Sequence, residues 1–142
     1  MTIQELRVGN FIDKGIISGI GYIEGKPGCN VLKNKFSSIS QSYFIEDIKP
    51  LELTEEWLLK LGFVLIERKG RYGNIYAKSI NDYDYCIERD FNKDTSYFVG
   101  IENTDSNDDR DTDFTHNFSY DLRYVHQLQN LFFDLVHYEL NA

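Results

Sequence analysis

The chain has 142 residues, enough for one domain or two small modules, with 42% hydrophobic and 15% aromatic residues to fill a core. A formal net charge of −8 opposes non-specific binding to double-stranded nucleic acid and to acidic membranes. Ten Tyr and ten Phe against one Trp favour β-rich structure, since aromatic side chains suit a pleated surface.

Nothing at the N-terminus resembles an apolar signal core, and no run approaches the ~18 apolar residues of a membrane span. Cys29 and Cys86 stand alone, without CxxC spacing, which suits free thiols in a reducing cytoplasm. These features predict a soluble cytoplasmic protein with no membrane partner.

Residues 1–52 read as a small all-β unit. Gly9-Asn10 punctuates the apolar pairs of Arg7–Ile12, and Ile16, Ile17, Ile20 and Ile23 alternate with Gly15, Gly19, Gly21 and Gly25. Glycine permits the sharp bends and bulges of a small barrel. Lys26–Gly28 is expected to turn, with strands at Cys29–Leu32 and Tyr43–Ile48 around a polar loop, Lys33–Ser42. The spacing predicts an SH3-like β-barrel. The glycines match neither GxxxxGK[ST] nor GxGxxG before a helix, so barrel corners explain them better than a phosphate loop.

Thr54-Glu-Glu-Trp-Leu-Leu-Lys-Leu-Gly62 carries complete helix punctuation. Thr54 is the N-cap, Glu55 and Glu56 complement the dipole, Leu53 and Leu58 can staple the start, and Gly62 ends the helix. Trp57, Leu58 and Leu61 are the core-facing positions. Beyond this hinge helix, strands are expected at Phe63–Arg68, Ile75–Lys78, Tyr83–Phe91 and Ser96–Glu102, joined by tight turns into an antiparallel meander. Along the third, Tyr83, Tyr85, Ile87 and Arg89 share one face, and Asp84, Cys86, Glu88 and Asp90 the other.

Tyr124–Val136 has helical periodicity. Tyr124, Val125, Leu128, Leu131, Phe132, Leu135 and Val136 cover an apolar arc of roughly 140°. His126, Gln127, Gln129, Asn130 and Asp134 take the opposite side, where Phe133 is the one large apolar residue. The prediction is an α+β fold: a barrel at 1–52, then residues 53–142 as a hinge helix and a four-stranded meander covered by the C-terminal helix.

No catalytic motif stands out, and a non-enzymatic protein without cofactor or metal is expected. Asp105, Asn107, Asp109, Asp111 and Asp113 fit alternate positions of an EF-hand loop, but Arg110 replaces its glycine and His116 its final glutamate. A solvated acidic loop explains Asn103–Asp113 better. His126 and His137 lie three turns apart on a helix, too far to share a metal.

The local basic cluster is Arg68, Lys69, Arg71, Tyr72 and Tyr76, with Lys78 and Arg89 on neighbouring strands. Guanidinium groups beside tyrosines suit a phosphate-bearing or planar ligand, against the plainer reading of a solvated hairpin tip. A second candidate surface for a partner protein, or for self-association into a homo-oligomer, is the side holding His126, Gln129 and Phe133.

Three stretches, Glu5–Phe11 (ELRVGNF), Ile48–Phe63 (with PLELTEEWLLKLGF) and Tyr124–Phe133 (YVHQLQNLFF), resemble a family of small proteins of unassigned function from gut anaerobe genomes and their phages and mobile elements. The resemblance transfers no catalytic or binding residue. It also implies a glycine after the last helix, which this chain lacks at Val136-His-Tyr-Glu-Leu140, so the helix is expected to run on toward Leu140. A constant frame around a variable middle implies a binding scaffold of phage or mobile-element origin. Such a protein would act in the host cytoplasm, as a host-defence antagonist sequestering a small nucleotide-like signal or as an adaptor or inhibitor of a host protein.

Overall fold

The computed structural model describes residues 1–66, 75–81, 83–89, 97–103 and 116–142. Their fold is α+β, with two antiparallel sheets and a C-terminal helix. The chain divides into two units, one of Met1–Glu52 with Tyr124–Asn141 and one of Leu53–Arg123.

In the first unit, β1 (Phe11–Ile12), β2 (Gly15–Ile23), β3 (Lys26–Leu32) and β4 (Ser40–Phe44) pair in sequence order. A register shift at Ile17/Gly19 bends β2 and helps curl the sheet into a half-barrel. Its inner face buries Ile17, Cys29 and Val31 against Leu6, Ile12 and Ile48, with Tyr43 and Ile45 packed alongside. Burial pushes the Cys29 thiol pKa up, keeping it protonated and inert.

The expected turn at Lys26–Gly28 lies two residues earlier. Glu24 and Gly25 both have positive φ, 51° and 79°, matching the twist of a two-residue hairpin. Pro27 is therefore a strand residue opposite Tyr22, just past the end of the β3–β4 ladder, where its missing N–H costs no pairing with β4. Residues Ile45–Asp47 form a 3-10 turn, so β4 starts and ends earlier than expected.

The C-terminal helix α2 (Val125–Val136) belongs to this first unit, whereas the sequence grouped it with residues 53–123. Its amides explain the difference: Gln129 and Asn130 bond to the segment Glu5–Phe11. Val125 N–H donates to Leu51 O at 3.0 Å, and Tyr124 bridges to Glu52. The helix stops at Val136 and does not continue to Leu140. His137 adopts the left-handed conformation (φ 52°, ψ 35°), a rare state for a residue with a Cβ. Leu140 then turns inward and is buried.

In the second unit, α1 (Glu55–Lys60) forms as its punctuation predicts. Thr54 Oγ1 accepts from Trp57 N–H at 3.3 Å. Gly62, at φ 83°, closes the helix with paired bonds: Gly62 N–H to Leu59 O and Phe63 N–H to Leu58 O, both 3.0 Å. Leu53, Leu58 and Leu61 are buried.

The sheet runs β5 (Val64–Ile66), β6 (Ile75–Ile80), β7 (Tyr83–Arg89), β8 (Tyr97–Asn103) and β9 (His116–Leu122), all antiparallel neighbours. It has one strand more than expected. Phe118, Tyr120 and Leu122 alternate with polar residues along β9, a period-2 signal that the acidic stretch before it obscured. On β7, Cys86 is fully buried with Ile75 and Ala77, so the face predicted to be polar is covered at the sheet centre.

Candidate binding surface

The sequence placed a partner surface on the polar side of α2. The fold buries His126 and Gln129 of that side and leaves Phe133 half-buried. Gln129 is 3% exposed, and its side-chain amide is fully engaged. Oε1 accepts from Phe11 N–H at 2.9 Å, while Nε2 donates to Gly9 O at 3.1 Å and Leu140 O at 2.9 Å. Asn130 Oδ1 accepts from Asn10 Nδ2 at 2.9 Å, and its own Nδ2 donates to Glu5 O at 2.8 Å. Asn10 in turn accepts from Arg7 N–H at 2.8 Å.

The stretches Glu5–Phe11 and Tyr124–Phe133 are thus the two halves of one polar lock. Strand β2 satisfies only part of the irregular Glu5–Phe11 segment, at Gly9 N–H and Asn10 O, and the remaining groups find partners in helix side chains.

Phe133 is half-buried beneath Arg7, whose guanidinium carbon lies 3.4 Å from the ring centroid. Arg7 also reaches Glu139 at 3.6 Å, and His137 meets the Phe133 ring edge-on at 5.7 Å. This cation–π stack folds the tail residues beside the helix.

His126 is 1% exposed and stacks on Tyr124, ring centroids 5.8 Å apart. Neither ring nitrogen has a hydrogen-bond partner among the described residues. Burial lowers its pKa, Glu5 opposes that shift, and the chain's N-terminal ammonium reinforces it. His126 and Gln129 therefore serve the interior of the first unit, while Phe133 stays half-buried beneath Arg7.

Of the basic cluster, Arg68, Lys69, Arg71 and Tyr72 lie outside the described residues, as does the aspartate run Asp105–Asp113. Arg89 ends β7. Tyr76 is buried, and its hydroxyl is held at about pKa 12 by burial and by a hydrogen bond to the Glu55 carboxylate. Lys78 donates to Leu61 O at 2.7 Å and sits 5.8 Å from the Phe63 ring centroid. Both side chains tie α1 to the sheet. Among the described residues, no group of three or more His, Cys, Asp or Glu could hold a metal ion, and no helix is long and apolar enough to cross a membrane.

A different surface emerges at the β3–β4 loop. Phe36 is 86% and Ile39 82% exposed, the highest values among the described large hydrophobic residues. The loop is braced from within. Asn34 Oδ1 accepts from Phe36 N–H at 2.9 Å and from Ser37 Oγ at 3.2 Å, and Ser37 N–H donates to Asn34 O at 3.1 Å. An Asx turn of this kind replaces the missing strand ladder and sets the direction in which Phe36 points. The Lys35 ammonium lies 5.6 Å from the Phe36 ring centroid. In the sequence the loop has only the signature of a polar connection, because its two apolar residues are separated by serines and carry no periodic signal.

The second unit has an exposed apolar strip of its own: Val64, Leu65 and Ile66 along β5, with Leu59 on α1. The strand is only three residues long.

Fold and surface together describe an α+β chain of two antiparallel sheets with exposed apolar groups at a braced loop and a short edge strand, among other places. Compared with protein-family models, curated proteins and solved structures, the chain matches none.

Proposed function

We propose that this chain is a non-enzymatic binding protein that recognises a partner protein through the N-terminal unit. The observation that carries this reading is the pair Phe36 and Ile39, held out in solvent by a loop that is already hydrogen-bonded into shape. Exposing a large aromatic side chain forgoes ~2 kcal/mol of burial, a cost that binding recovers. A braced loop also loses little entropy on docking.

The SH3-like character expected of residues 1–52 is part of this proposal. The curled four-stranded antiparallel sheet supports it. A phage or mobile-element setting, and action as an adaptor or inhibitor of a host protein in the cytoplasm, rest on the three recognised stretches and belong to the same proposal. Capture of a nucleotide-like signal rests on Arg68, Lys69, Arg71 and Tyr72, outside the described residues, and on Tyr76, whose hydroxyl is occupied by Glu55. Protein binding is the reading that the described residues favour.

The test is an affinity pull-down from a bacterial lysate with the wild-type chain and with a Phe36→Ser, Ile39→Ser variant of equal melting temperature. Proteins retained by the wild type and lost from the variant are expected. The same retained set for both chains refutes this surface.

A further inference from the structure

Strand β4 is the last strand of its sheet among the described residues, and Ser40, Gln41 and Ser42 on it are exposed. Natural edge strands are guarded by charge, proline, a bulge or brevity. β4 (SQSYF) has five residues, no charge, no proline and no register shift against β3. It is an open template for one more strand.

The Phe36/Ile39 loop leads directly into this edge, since Ser40 follows Ile39 and pairs with Leu32 across the hairpin. Charge gives the occupant its chemistry. Residues 25–44 hold Lys26, Lys33 and Lys35 and no Asp or Glu, in a chain of net charge −8. Lys26, at the far end, lies 3.8 Å from Glu46, and Lys33 and Lys35 are the lysines of the loop, Lys35 beside the Phe36 ring. Both are exposed.

We propose that the β4 edge and the Lys33–Ile39 loop form a docking site for an extended acidic peptide segment of a partner protein. The segment adds as a strand beside β4. An apolar side chain of the segment packs between Phe36 and Ile39, and its carboxylates face Lys33 and Lys35. Main-chain pairing supplies affinity, and the apolar and charged contacts supply register. Five residues of β4 offer about 17 Å of edge, room for a segment of similar length. This inference rests on the binding reading above and adds the chemistry of the partner.

The test uses a displayed random library of roughly twelve-residue peptides. Selection is on the wild-type chain, with counter-selection on a Lys33→Glu, Lys35→Glu variant, after circular dichroism and melting show that the variant folds. Should it not fold, the single substitutions Lys33→Glu and Phe36→Ser replace it. Enriched peptides are expected to carry net negative charge and to alternate apolar with acidic residues. A selected peptide, labelled for anisotropy, should bind in a salt-dependent manner and lose about tenfold or more in affinity on Phe36→Ser and on Lys35→Glu. Ser42→Pro on the edge should weaken it comparably.

No enrichment, enrichment of neutral or basic peptides, or affinity unchanged in these variants overturns the proposal. Phe36-dependent binding of a single-stranded oligothymidylate in place of the peptide overturns it too, as does a wild-type dimer dispersed by Phe36→Ser. If Phe36-dependent lysate proteins are captured while the library yields no acidic binders, the binding reading stands and the acidic-peptide inference falls.

Discussion

Replacing Gln129 by leucine tests the polar lock between α2 and the Glu5–Phe11 segment. Leucine keeps the volume and helix propensity of glutamine but offers no donor or acceptor. It removes the acceptor of Phe11 N–H and the donor to Gly9 O and Leu140 O, at a residue 3% exposed. A buried polar group stripped of its partner costs ~1–3 kcal/mol. Three groups at the lower part of that range give a loss of about 3–5 kcal/mol, a large share of the ~5–15 kcal/mol that stabilises a domain.

Urea denaturation followed by circular dichroism measures the loss, with Asn130→Ala as the graded comparison. Asn130 makes two side-chain bonds at a partly exposed position and should cost about 1–2 kcal/mol. A loss below ~1 kcal/mol for Gln129→Leu, or a larger loss for Asn130→Ala, would refute the lock.

Two further outcomes follow from the geometry. His126 is buried in the neutral form with its pKa below the ordinary 6.5, so the folded state binds this proton less readily than the unfolded state. The stability that His126 leaves intact above about pH 6.5 is lost as pH falls toward the lowered folded value, at up to about 1.4 kcal/mol per pH unit. His126→Phe should flatten the acid side of the stability profile in urea melts at stepped pH, and an unchanged profile counts against a buried neutral ring. Lys78→Met keeps the aliphatic stem but deletes the donor to Leu61 O, and should cost about 1–2 kcal/mol in thermal melts, while Lys78→Arg recovers part of the loss.

Local punctuation was legible in residues 53–63 because each signal acts within a few positions. Thr54 caps the turn that follows it and Gly62 the turn before it, so tertiary context has little to override. The Tyr124–Val136 helix was legible for the same reason, through its 3.6-residue period. Its end was not: a left-handed His137 follows from the bonds that draw Leu140 back toward Gln129, which lie eleven residues apart in sequence. Strand β9 was present as an alternation at Phe118, Tyr120 and Leu122, adjacent to an acidic run that drew the segment into a loop reading.

The candidate surface reversed between sequence and structure. Hydropathy assigns His126 and Gln129 to water and cannot see that the segment Gly9–Phe11 needs side-chain partners. Phe36 and Ile39 carry no periodic signal, since the two serines between them leave no face for either to belong to. Only the β3–β4 pairing, with the Asn34 turn closing its end, holds those two side chains in solvent beside an unguarded edge.

The α+β class, the capped helix α1, the apolar periodicity of α2 and the glycine-bent strands of the first unit follow from local pattern, because these depend on neighbours a few residues away. The tertiary structure alone decided which unit claims α2, why a polar helix face is interior and which lysines and aromatics share a surface. Those outcomes depend on unsatisfied backbone groups finding partners more than a hundred positions distant, and no local pattern records which partners they will find.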